Sequence, residues 1–552
     1  MKILAFSLLA LSFTPAVGQM GQMQHSSAIG KPATPERLGT VSFSVSCTSA
    51  VQAPFNRGVA LLHDFWYEEA KRQFEEIEKA DPSCAMAHWG VAMSNFHQIW
   101  NRPSEDAVAH GWEEMQKAQS PPAKTARERV YIAALSDFFH PGKQEFPERI
   151  QAYSDAMGKL YAQYPDDVDA GAFYALSLLA ATSPDDTSLA ANHKAMVVLA
   201  PLFAKYPDNP GVDHYITHAC DNPAMAAEGL SGANHYGEIA QSGAHAYHMP
   251  GHIYARLGMW PQDIEANLGS VTAAKAGQAK YGSGMMDEPH SYDFLLYAYL
   301  QSGQDDRARW VLAQTQELLT QMDTMAPMGV HRMGAMVPYY RSKYAVFYTL
   351  EMRDWKSAAA LEPPAGASPD VATLAIWARA IAHGHLHQPA EAKADLVRYD
   401  TLMEEIRKGK NAFLAEGTGV KIERDEIAGW VAFADGRQDE ALKHMGDAAD
   451  LQDKVGQGEI DIPAREMLAD MLLESHQPQR ALAEYETALK LSPNRFNGLY
   501  HAGLAAEEAG DKVKAQQYYA ELLKSTDNGA HSTRPEFAHV RSFGSATQVA
   551  TQ

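Results

Sequence analysis

The feature of this sequence that most constrains its fold is a spacing of small and aromatic residues that recurs along the chain. Near the N-terminus the spacing is kept by Gly58, Leu61, Tyr67, Ala70, Phe74 and Pro82. Near the C-terminus one set recurs 34 residues later, with Ala481, Tyr485, Ala488 and Pro493 followed by Ala515, Tyr519, Leu522 and Asp527. A period of this length is typical of one helix, a tight turn and a second helix. The sequence therefore predicts stacked helical hairpins.

Further units of the same period fill the middle of the chain. They are anchored at Ala308, at Trp355 with Ala358, at Ala392, and at Gly429 with Ala441. This is the spacing of tetratricopeptide repeats, in which each hairpin packs only on its neighbours. We expect an all-α solenoid that winds as a right-handed superhelix of about ten to eleven hairpins. The alternating residues 41–46, VSFSVS, predict a short extended segment before it.

The N-terminus has the composition of a secretory signal. Lys2 precedes an apolar run over residues 3–13, and the small residues Ala16 and Gly18 provide a cleavage site before Gln19. The run is too short to span a bilayer, and no later segment supplies about 20 consecutive apolar residues. We therefore expect a mature protein without a membrane span that is periplasmic or secreted.

Composition shifts suggest where the parts of the chain begin and end. The stretch EPPAGASPD at 362–370 breaks the helical pattern, because paired prolines and small residues stop helices. The segments are a signal peptide (1–18), a disordered leader (19–40), an N-terminal array with a His-rich concave face (41–361), a Pro-rich linker (362–370), a C-terminal array (371–527) and a tail (528–552). We expect the leader and the tail beyond Phe543 to lack ordered structure.

Charge and motifs exclude several kinds of function. With 68 acidic and 47 basic residues, the formal net charge is −21, which argues against nucleic acid and anionic membranes as partners. The sequence contains no glycine-rich phosphate loop, nucleophile elbow or CxxC redox motif. Three common enzyme classes therefore lose support.

Three cysteines lie after the predicted signal. An oxidising compartment favours one disulfide and one remaining thiol, and we expect Cys47 to pair with Cys84. That bond would join the extended segment to the first helical hairpin. Cys220 lies at the offset of Tyr254 and Tyr299, which face the partner helix, so we interpret it as a packing residue.

Metal-capable side chains are concentrated in one stretch. His214 and His218 lie 34 residues before His248 and His252, so one HxxxH pair is stacked on another. At 100° per residue these offsets share one stripe of successive helices. The set comprises His214, His218, Asp221, His245, His248, His252, His290 and Asp293.

We infer that this stripe binds a divalent transition metal, with Zn²⁺ as the leading candidate. Histidines separated by four residues leave a helix on the same face, and helices of neighbouring repeats pack about 8 to 10 Å apart. We take His214, His218, His248 and His252 as first-choice ligands. His245, His290, Asp221 and Asp293 are additional ligands, orienting groups or a general base. The alternative is a hydrogen-bonded His network in the wall of the groove.

Two functions follow from this pattern. The first is an exported binding protein whose concave groove holds a protein or peptide, with Tyr297, Tyr340, Lys343 and Phe347 extending the inner face. The second is a metal-dependent enzyme of hydrolase-like type, or a metal-storage protein, that uses the same His and Asp residues. Fold alone does not separate the two.

The sequence around the other histidines is less specific for a metal site. His63 and His97 are also 34 residues apart, and their aromatic neighbours favour packing in the core. The run HGHLH carries His383, His385 and His387 where the turn between two helices is expected, without an acidic companion. We interpret this run as a solvated loop.

Several long motifs resemble one family. They are PFNRGVALLHDFWYEEAKRQFEEIEKADPSCAMAHWGVAMS, HYITHACDNP, HAYHMPGHIYARLGMW and HSYDFLLYAYLQSG. In these strings the chain resembles an uncharacterised family of exported bacterial tetratricopeptide repeat proteins with a His-rich central motif. The resemblance covers most of residues 43–350 and implies an all-helical superhelix and a role for the His face.

Overall fold

The structure, a computed structural model, is mostly helical in the part of the chain that it describes. No strand occurs in that part; a single isolated bridge joins Gln119 and Pro122. The described residues are 36–99, 102–120, 122–142, 145–183, 186–325, 331–409, 412–456 and 460–550. The predicted signal peptide and residues 19–35 of the predicted leader lie outside them.

The helices of the first half of the chain, up to and including the His-rich stretch, follow one another in pairs. They are α1 (Gln52–His63), α2 (Tyr67–Ala80), α3 (Ala85–Met93), α4 (Glu105–Ala118), α5 (Ala126–Phe139), α6 (Phe146–Gln163), α7 (Val168–Ala180), α8 (Ala190–Lys205), α9 (Pro210–Cys220), α10 (Ala226–Ile239), α11 (Ala244–His248), α12 (Pro250–Arg256), α13 (Trp260–Tyr281) and α14 (Glu288–Gln301). A 3₁₀ turn at Ser49–Val51 precedes α1.

The second half continues the same arrangement. Its helices are α15 (Asp305–Met325), α16 (His331–Glu351), α17 (Trp355–Ala359), α18 (Pro369–His385), α19 (Pro389–Lys408), α20 (Thr418–Ala434), α21 (Gln438–Val455), α22 (Ala464–Glu474), α23 (Pro478–Leu491), α24 (Phe496–Glu508), α25 (Lys512–Ser525) and α26 (Glu536–Ala550). Short 3₁₀ turns lie at Ala412–Ala415 and Asp527–Gly529. Residues 37–552 form one unit.

Many of the hairpins share one turn. Two residues before the second helix begins, the backbone is left-handed, as at Gly258 with φ of 63° and Gly303 with φ of 66°. This conformation reverses the chain within three residues, and glycine adopts it without steric cost. The same position is occupied by Phe65, Arg353 and His387 in other hairpins. The tight turns that the repeat spacing predicts are therefore confirmed.

Neighbouring helices pack closely where glycines face the ring of a phenylalanine. Phe74 of α2 is fully buried and lies against Gly58 of α1 and Gly90 of α3. A Cβ atom on Gly90 would lie 2.3 Å from the ring of Phe74. The glycines therefore let the backbones of three helices approach one aromatic ring.

The extended N-terminal segment is held by side chains of α1. Val41 and Phe43 are buried whereas Ser42 and Ser44 are exposed, which is the predicted alternation. Phe43 N donates to Asn56 Oδ1 at 3.2 Å, and Gln52 Nε2 donates to the Phe43 carbonyl at 2.8 Å. Side chains of α5 hold the segment as well, since Arg127 donates to the Ser44 carbonyl at 3.1 Å and Ser46 N donates to Glu128 Oε1 at 2.5 Å.

Both predicted disordered ends contain ordered residues. In the leader, Leu38 is buried, and Gly39 N donates to the Ile239 carbonyl at 3.0 Å. In the tail, α26 runs to Ala550, beyond Phe543, and buries Phe537 and Val540 at its start. The expectation of disorder was therefore wrong for residues 36–40 and for residues 544–550, which continue α26. A few apolar contacts order short segments that have no clear periodicity of their own.

The membrane prediction agrees with the described helices. None of them is both long enough and apolar enough to cross a bilayer.

Candidate metal centre

Three helical repeats bring six histidines to one region of the protein. His214 and His218 lie on α9, His245 and His248 on α11, His252 on α12 and His290 on α14. Pro250 separates α11 from α12, because it has no N–H to donate to the Ala246 carbonyl. The ring nitrogens form two groups of three, and within each group the nitrogens lie within 4.8 Å of one another.

The first group, here called triad A, consists of His214, His218 and His245. The Nε2 atoms of His214 and His245 are 3.2 Å apart. His214 Nδ1 lies 2.5 Å from the backbone carbonyl of His63, which can only accept, so Nδ1 carries the proton. His214 Nε2 therefore presents a lone pair. His214 and His245 are buried and His218 is half-buried.

The second group, here called triad B, consists of His248, His252 and His290. The Nε2 atoms of His248 and His252 are 2.8 Å apart. The Nδ1 atom of His252 lies 2.8 Å from Asp221 Oδ2, and that of His248 lies 2.6 Å from Asn267 Oδ1. Both Nδ1 atoms thus face acceptors. In neutral rings, the two facing Nε2 atoms both carry lone pairs.

The orientation of the Asn267 amide decides this assignment. Asn267 Nδ2 donates to the Asp263 carbonyl at 2.9 Å and to Asp263 Oδ1 at 2.7 Å. The NH₂ group is therefore engaged on one side, and the amide oxygen faces His248. Gly251 makes room for the pair, since a Cβ there would lie 2.8 Å from both Asn267 Nδ2 and Asp263 Oδ1.

Each triad has a phenylalanine beside its rings. In triad A, Phe65 stacks on His245 with a centroid distance of 5.3 Å and an interplanar angle of 5°. In triad B, Phe294 lies 4.6 Å from the His248 ring and 4.8 Å from the His252 ring. These apolar rings exclude water from one side of each nitrogen group.

Burial keeps three of the six imidazoles neutral. It lowers the pKa of His214, His245 and His290 well below the ordinary value, and neighbouring charges lower it further. A neutral imidazole is the form that binds a metal ion. These three rings can therefore bind metal at neutral pH without losing a proton.

The structure divides the predicted histidine ligands between two groups. His214 with His218 and His248 with His252 fall into different triads, and His245 and His290 complete them. Asp221 orients His252 and pairs with Arg256 Nε at 2.9 Å. Asp293 forms an ion pair with Lys343 and lies outside both groups. Asp221 therefore orients a ring, and Asp293 is an ion-pair partner. Helices packed beside them supply the cations, Arg256 and Lys343.

Three of the four predicted groove residues, Tyr297, Tyr340 and Phe347, are buried. Tyr297 donates to the Asp461 carbonyl at 3.1 Å and accepts from Arg495, and Tyr340 stacks on Tyr344 at 5.7 Å. Lys343 is half-buried and pairs with Asp293. The three aromatic side chains therefore offer little surface to a partner, and the open groove stays a prediction.

Two of the three histidines in the HGHLH run are not in a solvated loop. His383 lies in α18 with its Nδ1 2.8 Å from Asp395, and His385 stacks on Trp355 at 3.8 Å and contacts Glu474 at 2.7 Å. Only His387 lies in the turn. Our expectation missed this because both acidic partners come from other helices.

The remaining singled-out residues pack as expected. His63 is buried between Phe173, Tyr215 and Asp169, and His97 stacks on Tyr67 at 4.3 Å. Cys47 and Cys84 form a disulfide, and Cys220 is a buried thiol. Burial raises the pKa of Cys220 to about 12, and its Sγ lies 3.6 Å from Met196 Sδ.

Sequence reasoning missed a third group of possible ligands. Glu78 of α2, His88 of α3 and Glu114 of α4 converge, and His88 Nδ1 lies 2.7 Å from Glu78 and 2.8 Å from Glu114. Lys117 also pairs with Glu114, at 2.7 Å. We interpret this group as a cluster of ion pairs, because His88 Nδ1 already contacts two carboxylates. No sequence spacing marks it.

Comparisons with known proteins address the fold. The model of the tetratricopeptide repeat family matches residues 466–530. Among solved structures, the human IFIT1 dimer with PPP-AAAA is 10% identical, with 85% of this chain and 88% of that chain covered and a TM-score of 0.34. Yeast Tom70 is 13% identical, with 91% and 96% covered and a TM-score of 0.35. A search of curated proteins finds no match. The family match identifies a tetratricopeptide repeat over residues 466–530, and the paired helices show that the described part of the chain is built of helical repeats.

Proposed function

We propose that this protein binds a divalent transition metal through its His triads. The observation that carries the proposal is the 2.8 Å separation of the Nε2 atoms of His248 and His252, with both Nδ1 atoms directed at oxygen acceptors. Two lone pairs at this distance repel each other. A cation bound by both nitrogens removes the repulsion.

The distances fit a metal ion. Nitrogens bound at about 2.0 to 2.1 Å lie about 2.8 to 3.4 Å apart for angles between 90° and the tetrahedral value. The pairs here are 2.8 Å and 3.2 Å apart. The Asp221 carboxylate and the His63 carbonyl supply the acceptors that commonly orient metal-bound imidazoles.

The alternative is a hydrogen-bonded His network without metal. In triad B that network requires one ring to carry a second proton and a positive charge among buried rings. His252 is 3% exposed, and the carboxylate beside it already pairs with Arg256. The charge of Asp221 is therefore shared, which makes a cationic ring costly.

Three nitrogens per group favour a reactive or exchangeable site over a closed structural one. Structural zinc sites have four protein ligands, whereas catalytic sites have three and leave one position for water or substrate. His218 and His290 are the half-buried members of the triads, so each triad has one ligand near solvent. Among the two functions considered, these features favour metal-dependent chemistry.

A protein-binding scaffold is the second candidate. The tetratricopeptide fold is commonly used to bind peptides, and the charge of −21 favours proteins over nucleic acids as partners. The burial of Tyr297, Tyr340 and Phe347 reduces the inner surface that we expected to serve this role. Export is part of the proposal, since the Cys47–Cys84 disulfide suits an oxidising compartment.

Elemental analysis of protein purified without an affinity tag tests the proposal. We expect stoichiometric transition metal, and its loss from a His248→Ala variant. The matched control is His193→Ala, because His193 is exposed on α8. Metal-free protein that binds no Zn, Cu, Ni, Fe or Mn in calorimetry would leave a plain His network.

A further inference from the structure

We infer that the His face holds a pair of copper ions, one bound by triad A and one by triad B. This inference rests on the proposed function and specifies it. It goes beyond the single metal ion that the sequence suggests. Three observations carry it: the division of the donors, the contact between the triads and the absence of an anionic donor among the six.

The donors divide evenly between two sites. Each triad has three ring nitrogens within 4.8 Å of one another, and each has its own phenylalanine. The orienting acceptors are also separate, since His214 uses the His63 carbonyl whereas His248 and His252 use Asn267 and Asp221. One ion could not be bound by both groups without breaking one of these arrangements.

The two triads are in contact through α11. His245 of triad A and His248 of triad B are one helical turn apart, and their ring centroids are 6.2 Å from each other. Their rings are buried together, with exposures of 5% and 1%. Ions on the two triads would therefore be neighbours in one low-dielectric space, where their mutual repulsion favours ions of low charge.

The ligand set selects for copper. All six donors are imidazole nitrogens, and the nearby carboxylates Asp221 and Asp293 are already paired with Arg256 and Lys343. Two Zn²⁺ ions would bring four positive charges without an anionic ligand. Copper binds imidazole most strongly among the divalent ions of its row, and as Cu(I) it brings half that charge.

Copper loading followed by electron paramagnetic resonance tests the inference. The probe is copper added with excess ascorbate, which reduces it to Cu(I), to metal-free, tag-free protein, and the readouts after removal of the ascorbate are copper per chain and the integrated spin signal. We expect two copper ions per chain and a spin signal far below the copper content, because the bound ions are Cu(I) and have no unpaired electron. Zinc in equal amount should not displace the copper.

Variants of each triad provide the second measurement. His218→Ala and His290→Ala change half-buried ligands of triads A and B. Each should reduce the copper content from two ions to one. His193→Ala should behave as the unchanged protein, and circular dichroism checks that all variants are folded.

The outcomes separate the two proposals. No bound metal of any kind would overturn both. One metal ion per chain, two copper ions with a full spin signal, or displacement of copper by zinc would overturn the copper pair and leave the metal-binding function in place.

Discussion

At the scale of single residues, Phe65 occupies a position that glycine fills in other hairpins. Its φ is 55°, in the left-handed region, which is strained for a bulky side chain. From this turn its ring contacts His245 and His214, with centroids 5.3 Å and 4.3 Å away. Arg353 and His387 adopt the same conformation in other hairpins, so it is a property of this turn. The turn places the Phe65 ring on triad A.

Asn267 is the residue that decides the protonation of His248. We expect Asn267→Ala to weaken metal binding by about 10- to 100-fold, because His248 loses the acceptor that orients its ring. Competition with a chelator measures this change. Asn234→Ala is the control, since Asn234 is exposed and accepts only from Tyr254 outside the triads. Equal affinities of the two variants would show that Asn267 does not orient a ligand.

At the scale of helices, His88 connects three helices through ion pairs. It lies on α3 and contacts Glu78 of α2 and Glu114 of α4. Partial burial opposes the charged ring, but hydrogen bonds to Glu114 and Glu78 outweigh it and raise the pKa of His88 to about 9. The ion pairs therefore hold the first hairpins together over the neutral range.

This pKa predicts a dependence of stability on pH. The contribution of His88 is complete below its ordinary pKa of about 6.5 and is lost as pH rises through about 9. We expect the folded state to lose on the order of 1 to 2 kcal/mol over this window, after allowance for screening by solvent. The Tm of His88→Gln should change less between pH 6.5 and 9.5 than that of the unchanged protein. Parallel Tm curves would contradict the prediction.

Gly251 links helix packing to the metal centre. A Cβ at this position would displace Asn267 and Asp263, so Gly251→Ala should destabilise the fold by about 1 to 3 kcal/mol and weaken metal binding. Denaturant unfolding and chelator competition measure the two effects. Gly446→Ala is the control on α21, where a Cβ meets no atom within 4 Å. That variant should be unchanged or up to about 1 kcal/mol more stable.

At the scale of the unit formed by residues 37–552, Arg495 connects repeats far apart in the chain. It is 1% exposed and donates to Glu466 at 2.9 Å and to Glu351 at 2.9 Å. It also donates to Tyr297, which the sequence had suggested as a groove residue. The guanidinium thus joins α14, α16 and α22 at the start of α24.

Removal of this charge should destabilise the protein strongly. Arg495→Met leaves Glu351 and Glu466 buried without their cation, and breaking such a network typically costs about 3 to 5 kcal/mol. We expect a large decrease in the denaturant midpoint. Arg480→Met is the control because Arg480 is exposed on α23. A decrease no larger than that of the control would show that the network does not stabilise the fold.

The Cys47–Cys84 disulfide closes a loop at the N-terminal end of the array. The two residues are 37 positions apart, and closing a loop of this size contributes about 3 to 4 kcal/mol in the chain-entropy model. Mass mapping of a non-reduced digest should find this pair and a reduced Cys220. Cys47→Ser with Cys84→Ser should lower the Tm, whereas Cys220→Ser should leave the crosslinked peptide unchanged. A crosslinked peptide that contains Cys220 would contradict the pairing.

The sequence alone was sufficient for the helical repeats. Helix periodicity and turn chemistry are local properties, so the recurrence of residues such as Tyr485 and Tyr519 predicts hairpins without knowledge of their neighbours. The same reasoning placed His248 and His252 on one face. It also identified residues 41–46 as extended, because alternation is visible within six residues.

Only the tertiary structure decided how the histidines combine. An offset along a helix gives the direction of a side chain but not its distance from a side chain on the next helix. His245 therefore joined His214, and His290 joined His248, through the packing of α9, α11 and α14. The acceptors that orient the rings, the His63 carbonyl and Asn267, lie outside the motif. The burial of Tyr297 arises from Arg495, 198 residues away in sequence, which no local pattern could indicate.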